Sequence, residues 1–235
     1  MCGRAYETYT DEELSIEYLN RQPLHLDGFR QTYNLAPTQM SPVVLVRDGQ
    51  RAIDLFRWGL VPSWAKSLKA ATKYSLINAR GEDIAEKASY AEPFRQRRCV
   101  VPLSGFFEWK RGAPRKRPFA IQPKDRGILS VAGVWERFQP GGQPEPLHTF
   151  SIVTTRANAL MLDIHDRMPV ILGSDDLHLW LDPSVDDPDR LKPLLEPCPP
   201  DWLSAYEVST MVNAPANNSP EVLQPLPEER SLFCL

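Results

Sequence analysis

Apolar positions along the chain fall in short runs, and most of them carry the spacing of strands. "PVVLVRDGQRAIDLFRWG" predicts two strands folded about an Asp48-Gly49 turn, a dipeptide that suits tight hairpins. "CVVPLSGFFEWK" predicts strand, turn, strand, and "PFAIQ" and "ILSVAGVWERF" continue the pattern. "HTFSIVTT" has the unbroken apolar character of a buried strand, while "YSLINAR", "PVIL" and "AYEVS" predict shorter ones. Helical spacing is rarer. "TDEELSIEYLN" opens with a capping box from Thr10 to Glu13, and "RANALMLDIH" predicts a helix ending close to His165. "SDDLHLWL" and "DPDRLKPLLE" predict short helices whose acidic first turns complement the helix dipole. "EDIAEKASYAEPFRQRR" predicts a helix broken near Pro93.

Many short strands with a few helices between them indicate an α+β fold built on mixed or antiparallel β-sheets, with the short helices peripheral. No linker, repeat or low-complexity segment divides the 235 residues. One domain over residues 1–226 is therefore expected, with 227–235 as a C-terminal tail. Proline, at 23 residues, is about twice as frequent as usual, which fits short elements joined by rigid turns.

Composition narrows the function classes. The formal net charge of -3 gives no global basic signature, so any nucleic-acid contact must be local. Basic residues cluster in "FRQRR" and "KRGAPRKR", for which solvated loops are the plain reading. Cys2, Cys99, Cys198 and Cys234 show no C-x-x-C spacing and no nearby His pair, so neither zinc nor another metal or cofactor is expected. The amino-terminal region lacks the apolar stretch of a leader, and no run approaches a membrane span. A monomeric, cytoplasmic protein with reduced thiols is the expectation.

Candidate chemistry begins at "MCGR". If Met1 is removed, Cys2 carries a free α-amine (pKa about 8) and a thiol (pKa about 8.5) two carbons apart. A 1,2-aminothiol closes a five-membered thiazolidine on an aldehyde; if Met1 stays, Cys2 is an ordinary thiol. Glu108 alternates with aromatics in "SGFFEWK", and a carboxylate desolvated there would rise toward a useful proton-transfer pKa; a strand glutamate facing water is the competing reading. His165 sits in a polar knot with Asp166 and Arg167, where a proton shuttle and a structural histidine are both open. Asn78 and Arg80 alternate with apolar residues in "SLINARGED" and should face the same way, an amide beside a phosphate-holding guanidinium. In "FRWGLVPSWAK", Trp58 is expected in the core and Trp64 is the candidate to stack on a base.

"MCGR", "YNLAPTQ", "WGLVPSWAK", "INARGE", "GFFEWK" and "DIHDRMPVIL" occur in one order. Together they make the chain resemble the SRAP (SOS-response-associated peptidase) family from Cys2 to about Pro225. The resemblance implies a compact barrel-like mixed sheet and a sensor of abasic sites in single-stranded DNA, associated with the nucleoid when bound to damage. The aldehyde of the opened deoxyribose would be captured by Cys2 as a covalent DNA–protein crosslink. Asn78 would orient the reacting groups, Glu108 would move protons, and His165 would assist opening of the sugar. DNA contacts fall, by the same resemblance, to Arg4, Pro37, Trp64, Arg80, Thr154 and Arg167. Lys66, Lys69 and Lys73 beside a single tryptophan depart from some relatives, which leaves base stacking there open. The alternative carried by the family's name is an amino-terminal-nucleophile peptidase using the Cys2 thiolate.

Overall fold

The computed structural model describes residues 2–71, 76–112, 115, 117–125, 127–139 and 145–227. Most of the expected tail, and Lys73 and Cys234, lie outside the described residues. Strand β1 (Ala5–Glu7) leads into α1 (Asp11–Tyr18), β2 (Thr32–Leu35), β3 (Met40–Arg47) and β4 (Gln50–Trp58). Next come α2 (Leu68–Ala71), β5 (Asn78–Arg80), α3 (Ala91–Gln96), β6 (Arg98–Leu103), β7 (Gly105–Trp109) and β8 (Pro118–Pro123). The remainder is β9 (Leu129–Phe138), β10 (Leu147–Arg156), α4 (Ala159–Leu162), β11 (Arg167–Pro169), α5 (Ser174–Leu181), α6 (Pro188–Leu191) and β12 (Leu203–Glu207).

Five strands close on themselves. Strand β3 pairs with β4 and β6, β6 with β9, and β9 with β10, which returns to β4 through a short parallel pairing at Thr149 and Phe150. The ring removes the free edges that an open sheet would present. Side chains of the ring alternate between two buried clusters. Val44, Val100, Ala132, Val134 and Val153 pack with Leu14, Tyr18, Phe94 and Trp180 of the helices. Val43, Leu45, Val101, Val131, Phe150 and Ile152 pack with Ala5, Leu35, Phe106 and Ile121 of a second, five-stranded antiparallel sheet ordered β12-β8-β7-β1-β2. With both faces covered, the ring strands lose the polar alternation of a half-exposed sheet.

The α+β expectation and its barrel are met. The capping box forms as predicted, with the Glu13 amide donating to the Thr10 hydroxyl at 3.2 Å and Thr10 N–H to the Glu13 carboxylate at 2.8 Å. One helix differs. Residues before Ala91 form turns, and Pro93 lies in the first turn of α3, where a missing N–H costs nothing, so it helps start the helix instead of breaking it. The "FRQRR" cluster also differs from a solvated loop. Arg98 is buried and donates to the carbonyls of Trp180, Phe94, Arg95 and Asp182, and Arg97 pairs with Glu92 and Glu136. Among the described residues no helix is long and apolar enough to cross a membrane.

Candidate active site around Cys2

Strand β1 lies inside the five-stranded sheet, between the edge strand β2 and the central strand β7. Ala5 faces Phe106, and the Phe107 amide donates to the Arg4 carbonyl at 2.9 Å. The strands run antiparallel, so stepping back from Arg4 to Cys2 is stepping forward from Phe107 past Glu108. Cys2 is fully buried in the cluster between the two sheets. Burial pushes its thiol pKa well up, and the neighbouring Glu108 carboxylate pushes it further.

Glu108 is only 3% exposed. Alternation along β7 turns it away from Phe107 and Trp109, which join a cluster with Tyr6 and Val212. Its carboxyl is raised above the ordinary range, chiefly by burial, with the positive charge at the start of the chain opposing. The water-facing alternative is thereby set aside.

Asn78 arrives from the other sheet. Its Nδ2 donates to the Cys2 carbonyl at 2.7 Å, and its Oδ1 is buried without a partner among the described residues. Strand β5 is short, but it runs parallel to β10 with Asn78 opposite Ile152, and the Tyr90 hydroxyl ties the Asn78 carbonyl at 3.0 Å. Ala79 is buried, so Asn78 and Arg80 point the same way as alternation requires, the first half-buried and the second exposed.

His165 follows α4, whose first turn is capped by Asn158 accepting from the Met161 amide. The Arg111 amide donates to the Ile164 carbonyl at 3.0 Å, joining the exit of β7 to this turn. His165 is buried, and burial first, then the charge at the start of the chain and Arg111, lower its pKa. The ring is therefore neutral near pH 7. Its Nδ1 lies 3.0 Å from the Arg167 amide, a bond that Nδ1 accepts when the ring carries its proton on Nε2. Nδ1 also lies 3.2 Å from the Arg167 carbonyl and 3.3 Å from an Asp166 carboxylate oxygen, acceptors that an Nδ1–H would serve.

The residues assigned to DNA occupy varied positions. Trp64 is 61% exposed, and Trp58 is buried with its Nε1 donating to the Ile77 carbonyl. Pro37 is half-buried. Arg4 is partly buried, and its Nη1 donates to Asn34 Oδ1 and the Val212 carbonyl at 2.9 and 2.7 Å. Thr154 is buried beneath Arg167, which donates to its hydroxyl and carbonyl and forks onto Glu82. Sequence reasoning assigned no role to Glu82 or Arg111. Glu82 stands inside "INARGE", two positions past Arg80, and that placement was the available signal. Two open cavities, of about 580 and 610 Å³, are lined by other residues.

These features define a class: an α+β barrel protein whose second residue is a buried cysteine, its carbonyl held by an amide side chain from one sheet and its thiol beside a carboxylate from the other. The chain belongs to the SOS response associated peptidase (SRAP) family, whose model matches residues 1–215. It is 41% identical over 228 residues to the abasic site processing protein YoqW of Bacillus subtilis, covering 95% of this chain and 99% of the relative. It is 32% identical to the abasic site processing protein HMCES of Xenopus tropicalis, covering 92% of this chain and 72% of that protein. A crystal structure of a Bacteroides thetaiotaomicron protein superposes with a TM-score of 0.86 at 28% identity, covering 96% of this chain and all of that one.

Proposed function

We propose that this protein processes abasic sites in DNA by capturing the opened sugar of a single strand on Cys2, after Met1 is removed. The observation that carries the reading is that Asn78 Nδ2 donates to the Cys2 carbonyl at 2.7 Å while the buried Glu108 carboxyl lies close enough to act on the Cys2 thiol. The names of YoqW and HMCES supply the substrate class.

Each group has a task that suits its state. In the closed sugar, the C1′–O4′ bond must break, with O4′ gaining a proton and the C1′ hydroxyl losing one. A neutral His165 with its proton on Nε2 is a donor for O4′. The Cys2 amine then adds to the C1′ aldehyde and water leaves, giving an imine. The thiol sulfur adds to the imine carbon as its proton passes to nitrogen, and the thiazolidine closes with no net oxidation. Glu108, with its raised pKa, is matched to carry protons through these steps. Asn78 holds the Cys2 carbonyl and so fixes where amine and thiol stand. Burial and Glu108 both raise the Cys2 thiol pKa, so the thiol needs a base to take its proton as sulfur bonds to the imine carbon, and Glu108 is the neighbouring carboxylate.

Intact-mass measurement after mixing with abasic single-stranded DNA tests this. Processed protein should gain the mass of the strand less one water, and Cys2→Ala should gain nothing. Cys2→Ser should give only an adduct that borohydride traps. Processed wild type that forms no adduct sinks the proposal.

A further inference from the structure

His165 is followed by two residues that are each paired to a different strand of the site. Asp166 meets Arg111, just beyond β7 and Glu108, at 2.6 Å. Arg167 meets Glu82, just beyond β5 and Asn78. The first pair is well exposed on both sides, where solvent screens an ion pair and leaves it little holding power. The second is different in construction. The Arg167 side chain is only 14% exposed, and Glu82 grips it with both carboxylate oxygens. Arg167 Nη2 is also held by the Thr154 carbonyl at 2.8 Å and hydroxyl at 3.1 Å. A planar guanidinium held by a carboxylate fork and two further acceptors has little rotational freedom left.

Backbone placement makes this fork possible. The Gly81 amide donates to the same Thr154 carbonyl at 2.8 Å, and a Cβ at Gly81 would stand 3.2 Å from Leu195 Cβ and 3.4 Å from the Thr154 oxygen. The close approach at Gly81 brings the next residue, Glu82, alongside Arg167. The Arg167 amide is what donates to His165 Nδ1.

Resting on the proposed abasic-site chemistry, we infer that Glu82 is a positioning residue: by clamping Arg167 against Thr154 it fixes the Arg167 amide on His165 Nδ1, and thereby holds the imidazole as an Nε2–H donor toward the sugar. The clamp also means that Arg167 has most of its hydrogen-bonding capacity committed inside the protein. Other charged groups that bear on His165 are Asp166, 3.3 Å from Nδ1, Arg111, and the positive charge at the start of the chain.

The test compares Glu82→Gln and Glu82→Asp with wild type. Nitrogen-15 NMR of the imidazole should show the Nε2–H form in wild type and a mixture of tautomers in Glu82→Gln, with Glu82→Asp restoring much of the wild-type signal. Crosslinking of abasic single strands should slow at least about tenfold in Glu82→Gln and its pH profile should shift. Binding of a non-reactive tetrahydrofuran-containing strand should stay within about twofold. An unchanged tautomer with an unchanged rate overturns the inference. So does tighter strand binding at an unchanged rate, which would make Glu82 a competitor of phosphate for Arg167. If wild type forms no adduct, the functional reading fails on its own, and the tautomer comparison still decides the role of Glu82. A thermal melt identifies any variant that has lost its fold, and the Glu82→Asp arm then carries the decision.

Discussion

Glu7 ends β1 fully buried, with one carboxylate oxygen accepting from the Ser41 hydroxyl and the other without a partner among the described residues. Burial pushes its pKa from 4.5 up to about 8. The folded chain thus keeps a proton that the unfolded chain releases near 4.5. That contribution to stability is fully present below about 4.5 and is lost as pH rises through about 8. Glu7→Gln, which cannot ionise, should flatten the fall of the urea midpoint across this window and be relatively most stabilising at its alkaline end. A variant whose pH dependence matches wild type would refute this. Asn78 allows a second residue-scale prediction. Because its Nδ2 donates to the Cys2 carbonyl, Asn78→Asp places two acceptors face to face. Crosslinking should fall more in Asn78→Asp than in Asn78→Ala, the latter by about tenfold, a loss worth one good hydrogen bond. Equal rates for the two variants would show that the carbonyl contact does not matter.

Strand β7 carries Glu108, and its first residue shows how tightly the element is seated. A Cβ at Gly105 would stand 2.2 Å from the Tyr6 hydroxyl and 2.4 Å from the Ile121 carbonyl. Neither neighbour yields easily, since Tyr6 is buried and Ile121 belongs to the paired strand β8. Gly105→Ala should therefore lower the thermal midpoint by several degrees or prevent folding, and a melt within a degree of wild type would contradict the packing. Local signals of this kind are what the sequence makes legible. The Thr10–Glu13 cap, the Asp48-Gly49 hairpin, the strand–turn–strand of β6 and β7, and the alternation of Glu108 with Phe107 and Trp109 all depend on neighbours within a few residues. Closure of the ring does not. The parallel contact between β10 and β4 joins Phe150 to Trp58, on strands far apart in the chain, and no short-range pattern encodes it. Pro93 misled because a proline inside a helical pattern and one at its first turn look alike without the boundary. Asn78, Glu108 and His165 stand out as candidates because each sits in a distinctive motif, whereas Glu82, inside "INARGE", draws its candidate role only from its fork on an arginine distant in the chain.

At the scale of the whole molecule, the net charge of -3 gives no long-range pull toward DNA. Several arginines are already paired with carboxylates: Arg97 to Glu92 and Glu136, Arg117 to Glu207, Arg111 to Asp166, Arg167 to Glu82. Arg4 is partly buried and tied to Asn34 and Val212, while Arg80 stands exposed on the face it shares with Asn78. Under the proposed function, strand binding should thus rest on few phosphate contacts, and its salt dependence should be shallow. Each phosphate neutralised on a single strand contributes about -0.7 to the slope of log K against log salt. Two or three contacts predict a slope of about -1.4 to -2.1, and Arg80→Ala should make it shallower by about 0.7. The measurement is fluorescence anisotropy with a tetrahydrofuran-containing strand across a salt series, in Cys2→Ala protein so that no adduct forms. A steep slope that Arg80→Ala leaves unchanged would place the phosphate contacts on another surface. A shallow slope would leave most of the discrimination to the aldehyde chemistry at Cys2, as suits a lesion that has no base to read.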